Sequence, residues 1–270
     1  GDASRRGQTY MSVDGLGAAA IAASLCGYAP HIPTVRQREF LSLAGKEALF
    51  GGAAGGGKSD ALLMGALQYA HVAGYSAIIF RRTYQDLALS GALIDRSLEW
   101  LGPTDAKWDA QDKTWRFPSG ARLAFGYLDN ALDKYRYQSS EFQFIGFDEL
   151  TQFEQDKYLY LFSRLRSTTS LDVPLRMRGA TNPGGIGHGW VKRRFITPST
   201  RAIGTVFVPA KVEDNPYLRI EEYIDSLMHL DEVTRERYLR GDWDVADDIT
   251  LVYPEFDPGT HVRQSPHDKP

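Results

Sequence analysis

The chain has 270 residues, 43% of them hydrophobic, and a formal net charge of −3. That is enough apolar material for one large core with a small appendage, and without a global basic field any nucleic-acid contact has to come from local patches. The single cysteine, Cys26, excludes an internal disulfide and any multi-cysteine metal site and is expected to be a small buried residue; no stretch reaches the ~18–20 apolar residues of a membrane helix.

Taken in chain order, the patterning alternates strands with helices. Lys46 to Phe50 closes an apolar run that reads as a short buried strand, and Leu62, Leu63, Ala66, Leu67 and Ala70 then repeat at helical spacing. Ser76 to Phe80 is a β-branched strand, and Tyr84 to Leu101 is predicted as one helix. Thr114 to Phe117 pairs with Ala121 to Tyr127 across Pro118-Ser119-Gly120 as a hairpin. Phe142 to Phe147, Leu175 to Ala180 and Thr205 to Val208 supply three more strands. Helices are predicted at Glu154 to Arg166 and, in two pieces, at Ile220 to Arg240, with Gly241 as C-cap. Beyond Gly241 the chain becomes acidic and proline-rich, as a solvated connector would. The alternation predicts an α/β fold with a mostly parallel sheet covered by helices on both faces. Its expected parts are a helical N-terminal extension (1–29), a core (30–204), a lid or linker subdomain (205–245) and a connector (246–270).

Gly52 to Ser59 satisfies G-x-x-x-x-G-K-[ST] between a strand and a helix, the context a phosphate-binding loop needs. Gly52, Ala53, Ala54, Gly55, Gly56 and Gly57 carry little or no side chain, so successive backbone N–H groups can converge on an anion at a helix N-terminus. Lys58 would reach the β- and γ-phosphates of a nucleotide, Ser59 would bind Mg²⁺, and Asp60 ends the phosphate-binding segment.

Phe142 to Phe147 runs into two adjacent carboxylates, Asp148 and Glu149. A buried strand would set Asp148 at the C-terminal edge of the sheet, beside the phosphate loop, where it can join a Mg²⁺ shell. Glu149 can orient and deprotonate an attacking water. Leu175 to Ala180 runs into Thr181 and Asn182, a polar pair able to hydrogen-bond a γ-phosphate or its water and to couple chemistry to motion.

In this order the features resemble the ATPase motor domain of the large terminase subunit of tailed bacteriophages, a P-loop NTPase fold of the ASCE type. Pro33 to Leu41 is similar to the adenine-recognition segment, with Gln37 as base reader. Ile79 to Tyr84 resembles the second strand and its turn, and Asp148-Glu149 and Thr181-Asn182-Pro183 match the acidic pair and coupling motif. Asp214 to Leu218 and Gly241-Asp242-Trp243 match the region that closes the domain.

The resemblance implies ATP and Mg²⁺ as ligands. It also implies double-stranded DNA, the portal protein and the small terminase subunit as partners, no membrane, and a homo-oligomeric ring docked at the procapsid portal in the bacterial host cytoplasm. An arginine finger from a neighbouring subunit is expected, with Arg136 in the matching place and Arg164 and Arg166 as rivals. DNA contact would rest on Lys192-Arg193-Arg194, Arg176 with Arg178, or Arg81-Arg82. The family's ribonuclease H-type nuclease domain is expected to begin where this sequence ends, so no DNA cleavage is expected of it. Two other classes share parts of the pattern. A superfamily-two-like helicase lobe needs a second motor lobe, and a nucleotide-binding assembly or scaffold protein with little turnover has no use for Glu149.

Overall fold

A computed structural model describes residues 27–167 and 171–244. Cys26, nearly all of the N-terminal extension and the connector after residue 245 lie outside the described residues. An eight-stranded sheet runs in the order β3-β4-β5-β2-β6-β7-β1-β8. Its strands are β1 Glu47–Gly52, β2 Ser76–Arg81, β3 Lys107–Asp109, β4 Thr114–Arg116, β5 Arg122–Tyr127, β6 Phe144–Asp148, β7 Arg176–Thr181 and β8 Thr205–Ala210. All neighbours are parallel except β3 with β4 and β4 with β5. The α/β architecture expected from the alternation is therefore present.

The central strands β1, β6 and β7 are buried along their whole length, as parallel strands covered on both faces must be. Alternate residues of β2 enter opposite cores. Ala77 and Ile79 pack with Leu63, Leu67, Trp100 and Trp115, while Ile78 and Phe80 pack with Phe147, Tyr158, Trp190 and Phe195. Each such aromatic or aliphatic side chain contributes roughly 1.5–3 kcal/mol on burial. Among the described residues no helix is long and apolar enough to cross a membrane.

The helices are α1 Val35–Ser42, α2 Lys58–Leu67, α3 Tyr84–Ala88, α4 Leu93–Leu101, α5 Gln155–Phe162, α6 His188–Val191, α7 Ile220–Leu227 and α8 Glu232–Arg240. Thr34 caps α1 in a reciprocal box with Gln37, and Gly241 ends α8 in the left-handed region at φ 65°. The predicted helix from Tyr84 to Leu101 is two helices, because Gly91 at φ 72° breaks the chain between them. The predicted helix to Arg166 stops at Phe162, since Leu165 turns back to bridge Phe142. Strand β3 and the turn of π-helix at Lys192–Ile196 were not predicted. Thr205–Ala210, expected at the start of the lid subdomain, is the edge strand beside β1, paired along Glu47–Gly52.

Strand register sets the site. Gly51 pairs with Thr181 and Asp148 with Ala180, so the ends of β1, β7 and β6 align at one edge of the sheet. Phe80 pairs with Phe147, which brings the following residue, Arg81, level with Asp148.

Candidate functional site

The loop from Gly52 to Ser59 crosses this edge between β1 and α2. Gly52 sits at φ 137°, and a Cβ there would lie 2.4 Å from the Ala210 carbonyl oxygen, so only glycine lets the loop pass β8 so closely. The Ala53 and Ala54 amides donate outward, to Ala210 O at 2.9 Å and Tyr238 O at 2.8 Å. By contrast, the amides of Gly55, Gly56, Gly57, Lys58, Ser59 and Asp60 donate to no backbone carbonyl among the described residues. Six N–H groups with no backbone acceptor at the N-terminus of a helix form a ready anion cradle.

Lys58 is buried, and its ammonium donates to Ala53 O. Burial pulls this ammonium down to about 8, against the attraction of Glu149 and Asp148. Ser59 Oγ donates to Asp148 Oδ1 at 2.8 Å, linking the first turn of α2 to the end of β6. Asp148 is 3% exposed, and burial raises its carboxyl although Arg81 and the Ser59 hydroxyl oppose the shift. Glu149 follows in the left-handed region at φ 55°, a conformation that costs a non-glycine residue on the order of 1–3 kcal/mol and concentrates at functional turns. Burial and the neighbouring Asp148 raise its carboxyl too.

Thr181 Oγ1 lies 3.5 Å from Glu149 Oε2 and 2.7 Å from Thr151 Oγ1, so the end of β7 touches the acidic pair directly. A cleft of ≈ 190 Å³ opens there, lined by Glu149, Thr151, Asn182, Gly184 and, from α8, Arg237 and Tyr238. Gln37 is buried against the loop. Its Nε2 donates to Gly57 O at 2.8 Å, and its Oε1 accepts from Thr34 N at 2.9 Å.

Two expected site residues stand apart. The Asp60 side chain is ion-paired with Arg96 and lies 3.5 Å from His31 Nε2, so its carboxylate is engaged by those two side chains. Arg136 is paired with Asp133 at 2.8 Å, lies over the Tyr127 ring at 5.0 Å and is half exposed. Its rivals are also engaged locally, Arg164 with Gln138 O and Arg166 with Glu141 at 3.9 Å.

The arginine clusters divide. Arg176 and Arg178 are not surface groups but core ones, 8% and 2% exposed. Arg176 donates to Gln68 Oε1, and Arg178 to the carbonyls of Leu43 and Lys46. Arg194 is paired with Glu47, while Arg193 of the same run stays exposed. Trp190 and Phe195 are buried, and Trp190 Nε1 donates to Phe153 O. Arg81, read as a DNA-facing residue, stands 3.1 Å from Asp148 Oδ2 and 3.8 Å from Glu149 Oε1. The signal that could have found it is the one that found Asp148, a charged residue ending a buried strand.

Solved structures share this fold. The large terminase of a thermophilic bacteriophage, in complex with ATP-γ-S, is 17% identical over 90% of this chain and 56% of its own, with a TM-score of 0.59. Another crystal form of that terminase gives 16% identity, 83% and 53% coverage and a TM-score of 0.56. The ATPase domain of the Thermus phage P74-26 large terminase, in an arginine-to-alanine variant, is 14% identical over 80% of this chain and 94% of its own, with a TM-score of 0.50. The chain thus spans about half the length of the first of these terminases. No curated protein matches it. Residues 49–248 match the family described as terminase large subunit, T4likevirus-type, N-terminal, and the chain belongs to that family.

Proposed function

We propose that the chain is a Mg²⁺-dependent ATP hydrolase whose turnover drives double-stranded DNA into a viral procapsid. The observation that carries this reading is the 2.8 Å bond from Ser59 to Asp148. It sets a helix-terminal anion cradle against the acidic pair at the end of β6. The thermophilic bacteriophage terminase solved with ATP-γ-S shares the fold and supports a nucleotide as the anion.

The Ser59 hydroxyl and Asp148 carboxylate are adjacent hard oxygen donors, which suits a Mg²⁺ that takes its remaining ligands from phosphates and water. Among the described residues no three His, Cys, Asp or Glu side chains gather to hold a metal alone. The ion, when bound, would neutralise charge on the β- and γ-phosphates.

The chain's own groups supply the rest. Lys58 leaves Ala53 O for the β- and γ-phosphate oxygens, and the amides from Gly55 to Asp60 hold the polyphosphate. Glu149 takes a proton from a water whose oxygen bonds to the γ-phosphorus. The bond from that phosphorus to the β–γ bridging oxygen breaks, giving ADP and phosphate. Thr181, bonded to Thr151 and close to Glu149, carries loss of the γ-phosphate toward Asn182 and the loop after it. Gln37 keeps one N–H and one lone pair for adenine while it braces Gly57. Arg136 serves the nucleotide of the next subunit in a ring assembled on the portal, in the bacterial cytoplasm, with the small terminase subunit delivering DNA. Exposed Arg193 is a releasable phosphate contact of the kind a translocating motor needs.

The test is ATP turnover measured against protein concentration, with and without double-stranded DNA. Specific activity that rises with concentration and again with DNA is expected. A protein that binds no ATP would overturn the reading.

A further inference from the structure

We propose that Arg237 contacts the γ-phosphate of ATP bound in its own subunit, making helix α8 the element that distinguishes ATP from ADP. The inference rests on the nucleotide-binding reading above and adds to it a residue of the same subunit.

Three relationships enclose the place where Arg237 ends. The neighbouring residue, Tyr238, accepts a hydrogen bond from Ala54 N at 2.8 Å, so α8 is seated on the phosphate loop. A Cβ on Gly184 would lie 3.5 Å from Arg237 Nη1, so the guanidinium rests on the turn that follows Asn182. Arg237 also lines the cleft that contains Glu149 and Asn182. Loop, coupling turn and Glu149 are the three surroundings of a γ-phosphate bound at the cradle.

Chemistry points the same way. Arg237 is only 6% exposed although it lies on a helix of highly polar sequence, so the docking of α8 turns this one cation inward, to the cleft wall. Asn182 lines the same wall, so the guanidinium and the end of the coupling strand meet at one cleft. A guanidinium offers five donors in a rigid fork that matches phosphate oxygens. Asn215 Nδ2 donates to Gly55 O at 2.7 Å, and a Cβ on Gly55 would meet Leu218, so the segment before α7 is tied to the same loop. Loss of the γ-phosphate would therefore remove one anchor of α8 while the Ala54 and Asn215 bonds hold the other side, which turns hydrolysis into a tilt of the helix pair.

The test compares ATP-γ-S and ADP affinities for the wild-type chain, Arg237→Met and Arg237→Lys. The methionine keeps the apolar stem, and a thermal melt of each variant checks the fold. Arg237→Met is expected to weaken ATP-γ-S by about tenfold, the loss of one charge-assisted hydrogen bond, and to change ADP by less than about twofold. Arg237→Lys should recover part of the ATP-γ-S affinity. Equal weakening of both nucleotides, or no change in either, would assign Arg237 to bracing the Gly184 turn and overturn the proposal. A wild-type chain that binds neither nucleotide would instead overturn the nucleotide-binding reading, and this inference with it.

Discussion

The Arg81 guanidinium and the Asp148 carboxylate stand 3.1 Å apart at the C-terminal edge of the sheet, with Glu149 Oε1 a further contact at 3.8 Å. Asp148 is buried and the adjacent Glu149 partly so; the two carboxylates repel one another, and loss of hydration is the leading reason both carboxyls are raised. Arg81 is therefore the counter-charge that, with Lys58, lets the pair ionise before any ion arrives. Its Nε is buried without an acceptor.

Arg81→Ala is expected to lower the stability of the nucleotide-free chain by about 1–3 kcal/mol at pH 7.5, the range for stranding a buried charged group. The sign with pH follows from the raised carboxyls. Protonated Asp148 and Glu149 need no counter-charge, so the penalty shrinks as pH falls through their raised range and is greatest above it. Urea titrations of both proteins at pH 5 and pH 7.5 measure this. A penalty equal at the two pH values would mean that Arg81 acts through packing alone.

Lys58 carries a second pH signature. Its folded value of about 8 lies below the unfolded value of a lysine. Between the two the unfolded chain binds the extra proton, so stability contributed at this site rises with pH from about 8 toward 10. Below pH 8 the buried ammonium is a constant cost. Lys58→Met is accordingly expected to be at least as stable as the wild type at pH 7, by up to about 3 kcal/mol, and to lose the rise above pH 8. It should also lose the stabilisation by ATP that is expected of the wild type. Lys58→Ala should likewise bind no nucleotide while keeping the fold, as a fluorescent ATP analogue would report. Retained affinity in either variant would detach Lys58 from the phosphate.

Glu149→Gln is expected to bind Mg·ATP with near wild-type affinity and to hydrolyse it at least ~100-fold more slowly, because the amide keeps the shape but accepts no proton. Single-turnover measurements separate this from slow product release. Undiminished turnover would hand the proton to another group, and the acidic-pair assignment would fall.

What could be read from the sequence divides by range. The phosphate loop and the acidic strand were legible because each is a local pattern: strand, glycines, helix in one case, and a buried run ending in carboxylates in the other. Arg81 was not placed at Asp148 because that contact depends on the β2 to β6 register, between segments far apart in the chain. Arg176 and Arg178 alternate with apolar residues as a surface pair would, yet Gln68 and two backbone carbonyls from the β1 approach absorb their charge in the core. Arg237 sits in a helix whose polar sequence points to solvent, and only the docking of α8 on Ala54 buries it. Tertiary contacts of this kind leave no periodicity to detect.

Arg136 is the remaining arginine, and its local engagement shapes the final prediction. In the single chain it is paired with Asp133 and stacked over Tyr127, half exposed on a short 3₁₀ turn that starts at Asp133. Asp133 is buried but also accepts a hydrogen bond from Asn130 N at 2.9 Å, so its carboxylate keeps a donor when the half-exposed Arg136 side chain turns to a neighbour's nucleotide. A finger that meets charge present only in the transition state can contribute ~10³-fold or more to turnover with little effect on binding. Arg136→Ala should therefore bind ATP almost normally and hydrolyse it poorly under conditions where subunits associate. Mixing the Arg136→Ala and Glu149→Gln proteins should restore part of the activity, since the Arg136→Ala subunit keeps an intact acidic pair and its Glu149→Gln neighbour offers an intact finger. Recovery should follow the fraction of mixed oligomers measured by native mass spectrometry. If mixed oligomers form and the activity stays absent, Arg136 is not a finger acting across subunits, and Arg164, held by Gln138 O close to the same turn, becomes the residue to mutate next.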